Sequence, residues 1–273
     1  MKDKKKPRMI FSDIDGTFLT PESKVSPRTA KALHAVLGQG IPFALVSARM
    51  PEAIYPITDQ LGVTIPIVSY SGAYVLTEDE QLLFSETMVP EPTHRLLDVL
   101  ESEYADAVVN YYAGRHWYVR DRENERVQTE IRITSAQPIE GNFSERLEAG
   151  ERPNKILLMA EPALCERAEK DLAARFPEFH VVRSAPFLLE IMDKSVSKAT
   201  GIDVLLKHYG ILREDALSFG DNYNDLEMLE ATGTSVAMGN APDGVKKAAT
   251  CVTAPNTEDG IWKYLKDNHI IDA

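Results

Sequence analysis

The segment Asp13-Ile14-Asp15-Gly16-Thr17 follows a short apolar run, Met9-Ile10-Phe11, and sets two carboxylates two residues apart. Carboxylates placed against a core must be solvated, ion-paired or metal-bound. In parallel α/β sheets, ligands collect outside the carboxyl ends of the strands. Far along the chain, Gly220-Asp221-Asn222-Tyr223-Asn224-Asp225 repeats the arrangement: a short strand, acidic and amide side chains, then a helix. Read singly, each segment also suits plain structural chemistry. The first makes an Asp-Gly turn, and the second makes an Asp or Asn N-cap with Asp225 in the first helical turn. Neither is an EF-hand loop, because Tyr223 and Leu226 stand where a ligand and a glycine are needed. Together the two segments offer the few hard oxygen donors that Mg²⁺ takes while it keeps sites for water and phosphate.

Two further residues fit a phosphate site. Ser47, in Leu45-Val46-Ser47-Ala48-Arg49, stands at the end of a second apolar strand, where a hydroxyl and backbone N–H groups can meet phosphate oxygens. Lys198, in Ser195-Val196-Ser197-Lys198-Ala199, opens a helix, where the macrodipole prefers acids. A nearby anion would account for it; by itself it reads first as a surface lysine.

These residues need a scaffold that brings strand ends together. Met9–Ser12, Ile41–Val46 and Ile65–Tyr70 read as buried strands, separated by a helix capped by Ser26 with Pro27 at its first position and by a helix over Pro51–Leu61. The alternation resumes with a helix from Ser195 or Ser197 to about Tyr209, strand Ala216–Phe219, and a helix from about Tyr223. Strand Ser235–Met238, helix Asp243–Ala249, strand Cys251–Thr253 and helix Glu258–Asn268 complete it. Strands apolar on both faces imply a parallel sheet covered on both sides. Between the blocks the pattern changes to paired strands (Ala107–Tyr112, Trp117–Arg120, Lys155–Ala160, His180–Arg183) with helices near Thr93–Glu103 and Pro162–Phe176. The expected fold class is therefore α/β, a Rossmann-like parallel-sheet core (1–85 and 186–273) with an inserted α+β cap domain (86–185). Met88-Val-Pro-Glu-Pro92 is expected as the linker into it.

Composition narrows the partners. The 273 residues carry 42 acidic and 30 basic side chains, a net charge of −12 that argues against a nucleic-acid binder. No apolar run is long enough to span a bilayer. The basic start (Lys2, Lys4, Lys5, Lys6, Arg8) precedes only Met9–Phe11, so it reads as a solvated tail rather than a signal peptide. Cys165 and Cys251 form no disulfide framework, and a cytoplasmic protein is expected. The six histidines lack metal-ligand spacing, Gly-x-Gly-x-x-Gly and Walker A patterns are absent, and no feature specifies an oligomeric state.

Taken in order, the four segments resemble the four motifs of the haloacid dehalogenase (HAD) superfamily, and the position of the insert resembles the Cof-type phosphatases with a class IIB cap. The resemblance spans the chain from Met9 to the C-terminal helix. It implies a phosphoric monoester hydrolase, with Asp13 as nucleophile and Asp15 as general acid/base. Ser47, Lys198 and Asn224 would bind phosphate. Asp13, the backbone carbonyl of Asp15, Asp221 and Asp225 would surround Mg²⁺. The implied reaction is hydrolysis of a small-molecule phosphomonoester, a sugar phosphate or similar metabolite, through a phospho-aspartate. The alternatives are a phosphomutase of the phosphomannomutase type and a non-catalytic phosphosugar-binding protein. Many relatives have Thr-Gly-Arg where this chain has Ser47-Ala48-Arg49, which keeps a hydroxyl and the arginine. Many have Asn-Gly-Ala where it has Ser71-Gly72-Ala73, which removes an amide often found near the substrate.

Overall fold

The computed structural model describes residues 6–272, so Lys2, Lys4 and Lys5 of the expected basic tail lie outside the described residues. In chain order the strands and helices are β1 (Met9–Asp13), α1 (Pro27–Gly38), β2 (Phe43–Val46), α2 (Pro51–Leu61), β3 (Ile67–Ser69), β4 (Tyr74–Leu76) and β5 (Leu82–Ser85). There follow α3 (Pro90–Glu103), β6 (Val108–Ala113), β7 (His116–Val119), α4 (Glu125–Thr134), β8 (Ile139–Glu140), α5 (Phe143–Glu148), β9 (Lys155–Met159), α6 (Pro162–Arg175), β10 (Phe179–Ala185) and β11 (Leu188–Asp193). The chain closes with α7 (Lys198–Tyr209), β12 (Ala216–Gly220), α8 (Leu226–Glu230), β13 (Thr234–Ala237), α9 (Asp243–Ala248), β14 (Cys251–Val252) and α10 (Gly260–Asp267). Among the described residues, no helix is long and apolar enough to cross a membrane.

Two compact units result. The first holds residues up to Ala48, Ile57–Phe84 and Ser197 onward, around an eight-stranded sheet in the order β14-β13-β12-β1-β2-β3-β4-β5. Strands β14 to β3 run parallel, and β3 turns back antiparallel into β4. The central strands β1, β2, β3 and β12 are buried at every position, as near-continuous apolar runs require when both faces are covered. Strand β1 is the switch point, since the chain moves outward from it through β2 and β3 and later outward on the other side through β12 and β13. Register sets Asp13 beside Val46 and Ser12 beside Phe219, so the carboxyl ends of β1, β2 and β12 finish at one level. Local chemistry agrees with this path: Ser26 caps α1 by accepting from Thr29 N–H with Pro27 following, and Ser197 caps α7 by accepting from Thr200 N–H.

The second unit, Arg49–Pro56 with Ser85–Val196, is a six-stranded sheet in the order β10-β11-β9-β6-β7-β8. Helices α3, α5 and α6 pack one face through Leu96, Leu100, Phe143, Ala168 and Leu172 against Tyr111, Ile156, Leu158 and Ile191. The opposite face carries buried Asn110, Tyr112, Trp117, Lys155 and Glu190. Trp117 Nε1–H donates to Asn110 Oδ1 at 3.0 Å, and Lys155 Nζ stands 3.8 Å from Glu190 Oε2.

Several boundaries differ from the sequence reading. The insert runs past 185, because β11 pairs antiparallel with both β10 and β9 and belongs to their sheet. Met88–Pro92 is not a free linker: Met88 is fully buried and donates its N–H to Pro153 O at 2.8 Å, and Pro90 opens α3. The hairpin strands β4 and β5, and the α4-β8-α5 stretch, carry too little periodic apolar pattern to be read from sequence.

The turn after β3 is a tight junction within the first unit. Tyr70 and Ser71 adopt left-handed backbone at φ +48° and +52°, and Gly72 stands at φ +111°. A Cβ on Gly72 would lie 1.9 Å from Ser197 O, and one on Gly201 would lie 2.3 Å from Val68 Cγ1. This close approach seats the first turn of α7 against the end of β3. Gly72→Ala is therefore expected to destabilise the protein by at least ~2 kcal/mol, lowering the melting temperature by ~4 °C or more. A thermal melt of the variant within 1–2 °C of the parent, roughly the scatter of the measurement, would show that the turn relaxes freely.

Candidate active site

Asp13 is the last residue of β1 and is buried. The chain then winds into a compact loop in which Phe18 N–H and Leu19 N–H both bond Ile14 O, at 3.0 and 2.9 Å. Gly16 lies at φ +89°, and a Cβ there would fall 2.3 Å from Asp221 Oδ2. Only glycine lets the loop pass that carboxylate. Thr17, next in the loop, donates its hydroxyl to Asp221 Oδ1 at 2.7 Å.

Lys198 ties this loop to the second acidic segment. Its ammonium is almost fully buried and donates to Asp13 Oδ1 at 2.5 Å and to Asp225 Oδ1 at 2.6 Å. The other Asp225 oxygen accepts the backbone N–H groups of Asp221 (2.9 Å) and Asn222 (3.0 Å). Lysine at the first position of α7, unfavourable toward the helix dipole, is thus explained by two carboxylates that converge on it.

Among the described residues, Asp13, Asp221 and Asp225 place ligand oxygens within 4.8 Å of one another. Burial pushes the Asp13 carboxyl well above the usual carboxylate range; the Asp225 charge adds to this and Lys198 opposes it. Burial likewise lifts Asp221 to about 6, against the Thr17 hydrogen bond and with a further push from Asp225. For Lys198, burial works downward, but the Asp13 and Asp225 charges outweigh it and hold the ammonium protonated. Oxygen-only donors whose negative charge is incompletely neutralised suit a hard divalent cation.

The other expected residues are less closely gathered. Ser47 is buried at the end of β2, with its N–H on Val68 O (2.8 Å) and its carbonyl accepting from Ser71 N–H (2.9 Å). Asp15 is exposed and its carboxylate lies outside the three-acid cluster, although its charge reaches Asp221. Asn224 is exposed on the short 3₁₀ turn Tyr223–Asp225. Sequence reasoning missed Thr17 and Asn240 as partners of Asp221. Thr17 stood inside the motif already singled out, and Asn240 carried no local signal.

The description "haloacid dehalogenase-like hydrolase" matches residues 10–265. The chain belongs to this family. A putative phosphatase from Haemophilus influenzae is 36% identical over 260 residues, covering 95% of this chain and 97% of that one. Among solved structures, a haloacid dehalogenase-like hydrolase from Bacteroides thetaiotaomicron is 28% identical with a TM-score of 0.86, covering 96% and 99% of the two chains. A subclass IIB sugar phosphatase of the superfamily is 26% identical with a TM-score of 0.82, covering 97% and 100%. The expected fold class and the expected Cof-type resemblance are borne out, and the chain is a phosphatase-type enzyme of the family.

Protons would compete with a divalent cation for Asp221. With its carboxyl lifted to about 6 in the metal-free protein, charge is present above that pH and is lost as the pH falls through it. Calorimetric titration with Mn²⁺ is expected to give binding about tenfold weaker at pH 5 than at pH 7.5. Equal affinity at the two pH values would mean that Asp221 does not titrate in this range.

Proposed function

We propose that the chain is a Mg²⁺-dependent phosphatase that hydrolyses a small soluble phosphomonoester through a phospho-aspartate on Asp13. The observation that carries this reading is the convergence of Asp13, Lys198 and Asp221 at the ends of adjacent parallel strands in a member of a hydrolase family. Sugar phosphates are the substrate class taken up first, because a subclass IIB neighbour is described as a sugar phosphatase.

Asp13, Asp221 and the backbone carbonyl of Asp15 would hold Mg²⁺. Asp225, whose two oxygens already bind Lys198 and two N–H groups, would act as an anchor behind them. Bound Mg²⁺ supplies the positive charge that lets a carboxylate approach a phosphate dianion. Lys198 and Ser47 bind the non-bridging oxygens, with Asn224 as a further phosphate contact, and stabilise their charge as it develops. An Asp13 oxygen forms the new bond to phosphorus as the bond to the leaving oxygen breaks, and Asp15 donates its proton to that oxygen. Asp15 then takes a proton from the water that attacks the acyl phosphate, which releases inorganic phosphate and frees Asp13. The second motif acid distinguishes this outcome from a long-lived phosphoenzyme. We further assign substrate discrimination to the inserted unit, which contains none of these residues.

Asp13→Asn removes the attacking charge with little change in volume. Its turnover on a phosphomonoester panel is expected to fall by at least ~10³-fold while the melting curve is kept. Activity within tenfold of the parent would sink the phospho-aspartate mechanism.

A second expectation concerns the metal. Activity should vanish in EDTA, return with Mg²⁺, and be inhibited by Ca²⁺, whose looser shell suits in-line geometry poorly. Asp221→Ala should raise the Mg²⁺ concentration needed for half-maximal rescue by at least ~10-fold. Full activity without metal would contradict the assignment.

A further inference from the structure

Asn240 follows β13 in a loop pinned on two sides. Met238 N–H bonds Gly220 O at 2.9 Å, and Gly239 N–H bonds Ala254 O at 3.2 Å. The loop lies so close to the next one that a Cβ on Gly239 would stand 2.6 Å from the Pro255 nitrogen. The Asn240 amide is then oriented by a group that can only donate: Asn256 N–H bonds Asn240 Oδ1 at 3.1 Å. The NH₂ group must therefore face the other way, where its two hydrogens meet Gly16 O at 2.9 Å and Asp221 Oδ2 at 3.2 Å. Asn256 is itself fixed, its Nδ2–H donating to Leu19 O at 2.7 Å. One amide thus ties together the loop after β1, the acid after β12 and the loop after β14.

We propose that Asn240 is a positioning residue for the cation site, holding the Asp221 carboxylate and the Gly16 carbonyl at a set separation. The inference rests on the Mg²⁺ reading above. Thr17 secures one Asp221 oxygen and Asn240 the other, so the carboxylate is oriented before any cation arrives. Rotation of Asp221 on loss of Asn240 would leave the donors present but misaligned. Partners of this kind typically change metal affinity by about 10- to 100-fold.

The test is calorimetric titration of the substrate-free, metal-free protein with Mg²⁺, comparing wild type, Asn240→Ala and Asp221→Ala, with a melting curve for each. Asn240→Ala is expected to bind Mg²⁺ about tenfold more weakly at an unchanged metal-free melting temperature. In steady-state assays its kcat at saturating Mg²⁺ should fall less than its apparent Mg²⁺ constant rises. A folded Asn240→Ala protein with wild-type Mg²⁺ affinity overturns the proposal and leaves the Mg²⁺ reading standing. A wild type that binds no Mg²⁺ overturns both. If the alanine variant does not fold, Asn240→Ser carries the same test, because its side chain is one bond too short to reach Asp221.

Discussion

A buried ammonium between two carboxylates is the contact on which the first unit's active end depends. Lys198 meets both Asp13 and Asp225 at hydrogen-bond distance, and Asp221 completes a three-acid cluster. At an effective dielectric of about 20, two like charges about 4 Å apart repel by roughly 4 kcal/mol. Three such acids would not stay ionised together without cations. One ammonium leaves them short of neutrality, and burial pushes Asp13 and Asp221 upward. A dication would make up that deficit. The same imbalance explains why the lysine begins a helix, where its charge is otherwise unwelcome.

The geometry around this cluster is set by backbone as much as by side chains. Asp225 is a case in point. Its residue type and spacing suit a metal ligand, yet one oxygen holds Lys198, and the other closes a capping box on Asn222 N–H and also accepts Asp221 N–H. It stabilises the turn that presents Asp221. Gly16 contributes by absence, since any side chain there would strike the Asp221 carboxylate. At the edge of β3, Gly72 does the same for the start of α7, and so for the position of Lys198.

The inserted unit follows a different logic. Its sheet packs helices α3, α5 and α6 against one face mainly through apolar side chains, while the other face buries an amide, two aromatic rings and a lysine–glutamate pair. Burying charge is expensive unless it is paired, so a sheet that keeps Lys155 and Glu190 side by side retains polar chemistry on that face. That chemistry is separate from the acid and lysine cluster, all of which lies in the first unit.

The sequence by itself determined the parallel core, because apolar runs that alternate with capped helices have few other solutions. It also singled out the four candidate segments, because acids, a hydroxyl and a misplaced lysine at strand and helix ends carry local signals. It left the end of the insert unread, since Leu188–Asp193 belongs to the insert only through its pairing with β9 and β10. Tertiary structure alone decided which acids cluster, that both Asp225 oxygens are engaged by Lys198 and backbone N–H groups, and that Thr17 and Asn240 bond Asp221. The reason is physical. Helix caps and strand periodicity are set by residues a few positions apart, whereas the Asn240 amide and Gly16 carbonyl are 224 positions apart, and no pattern in the chain between them encodes their contact.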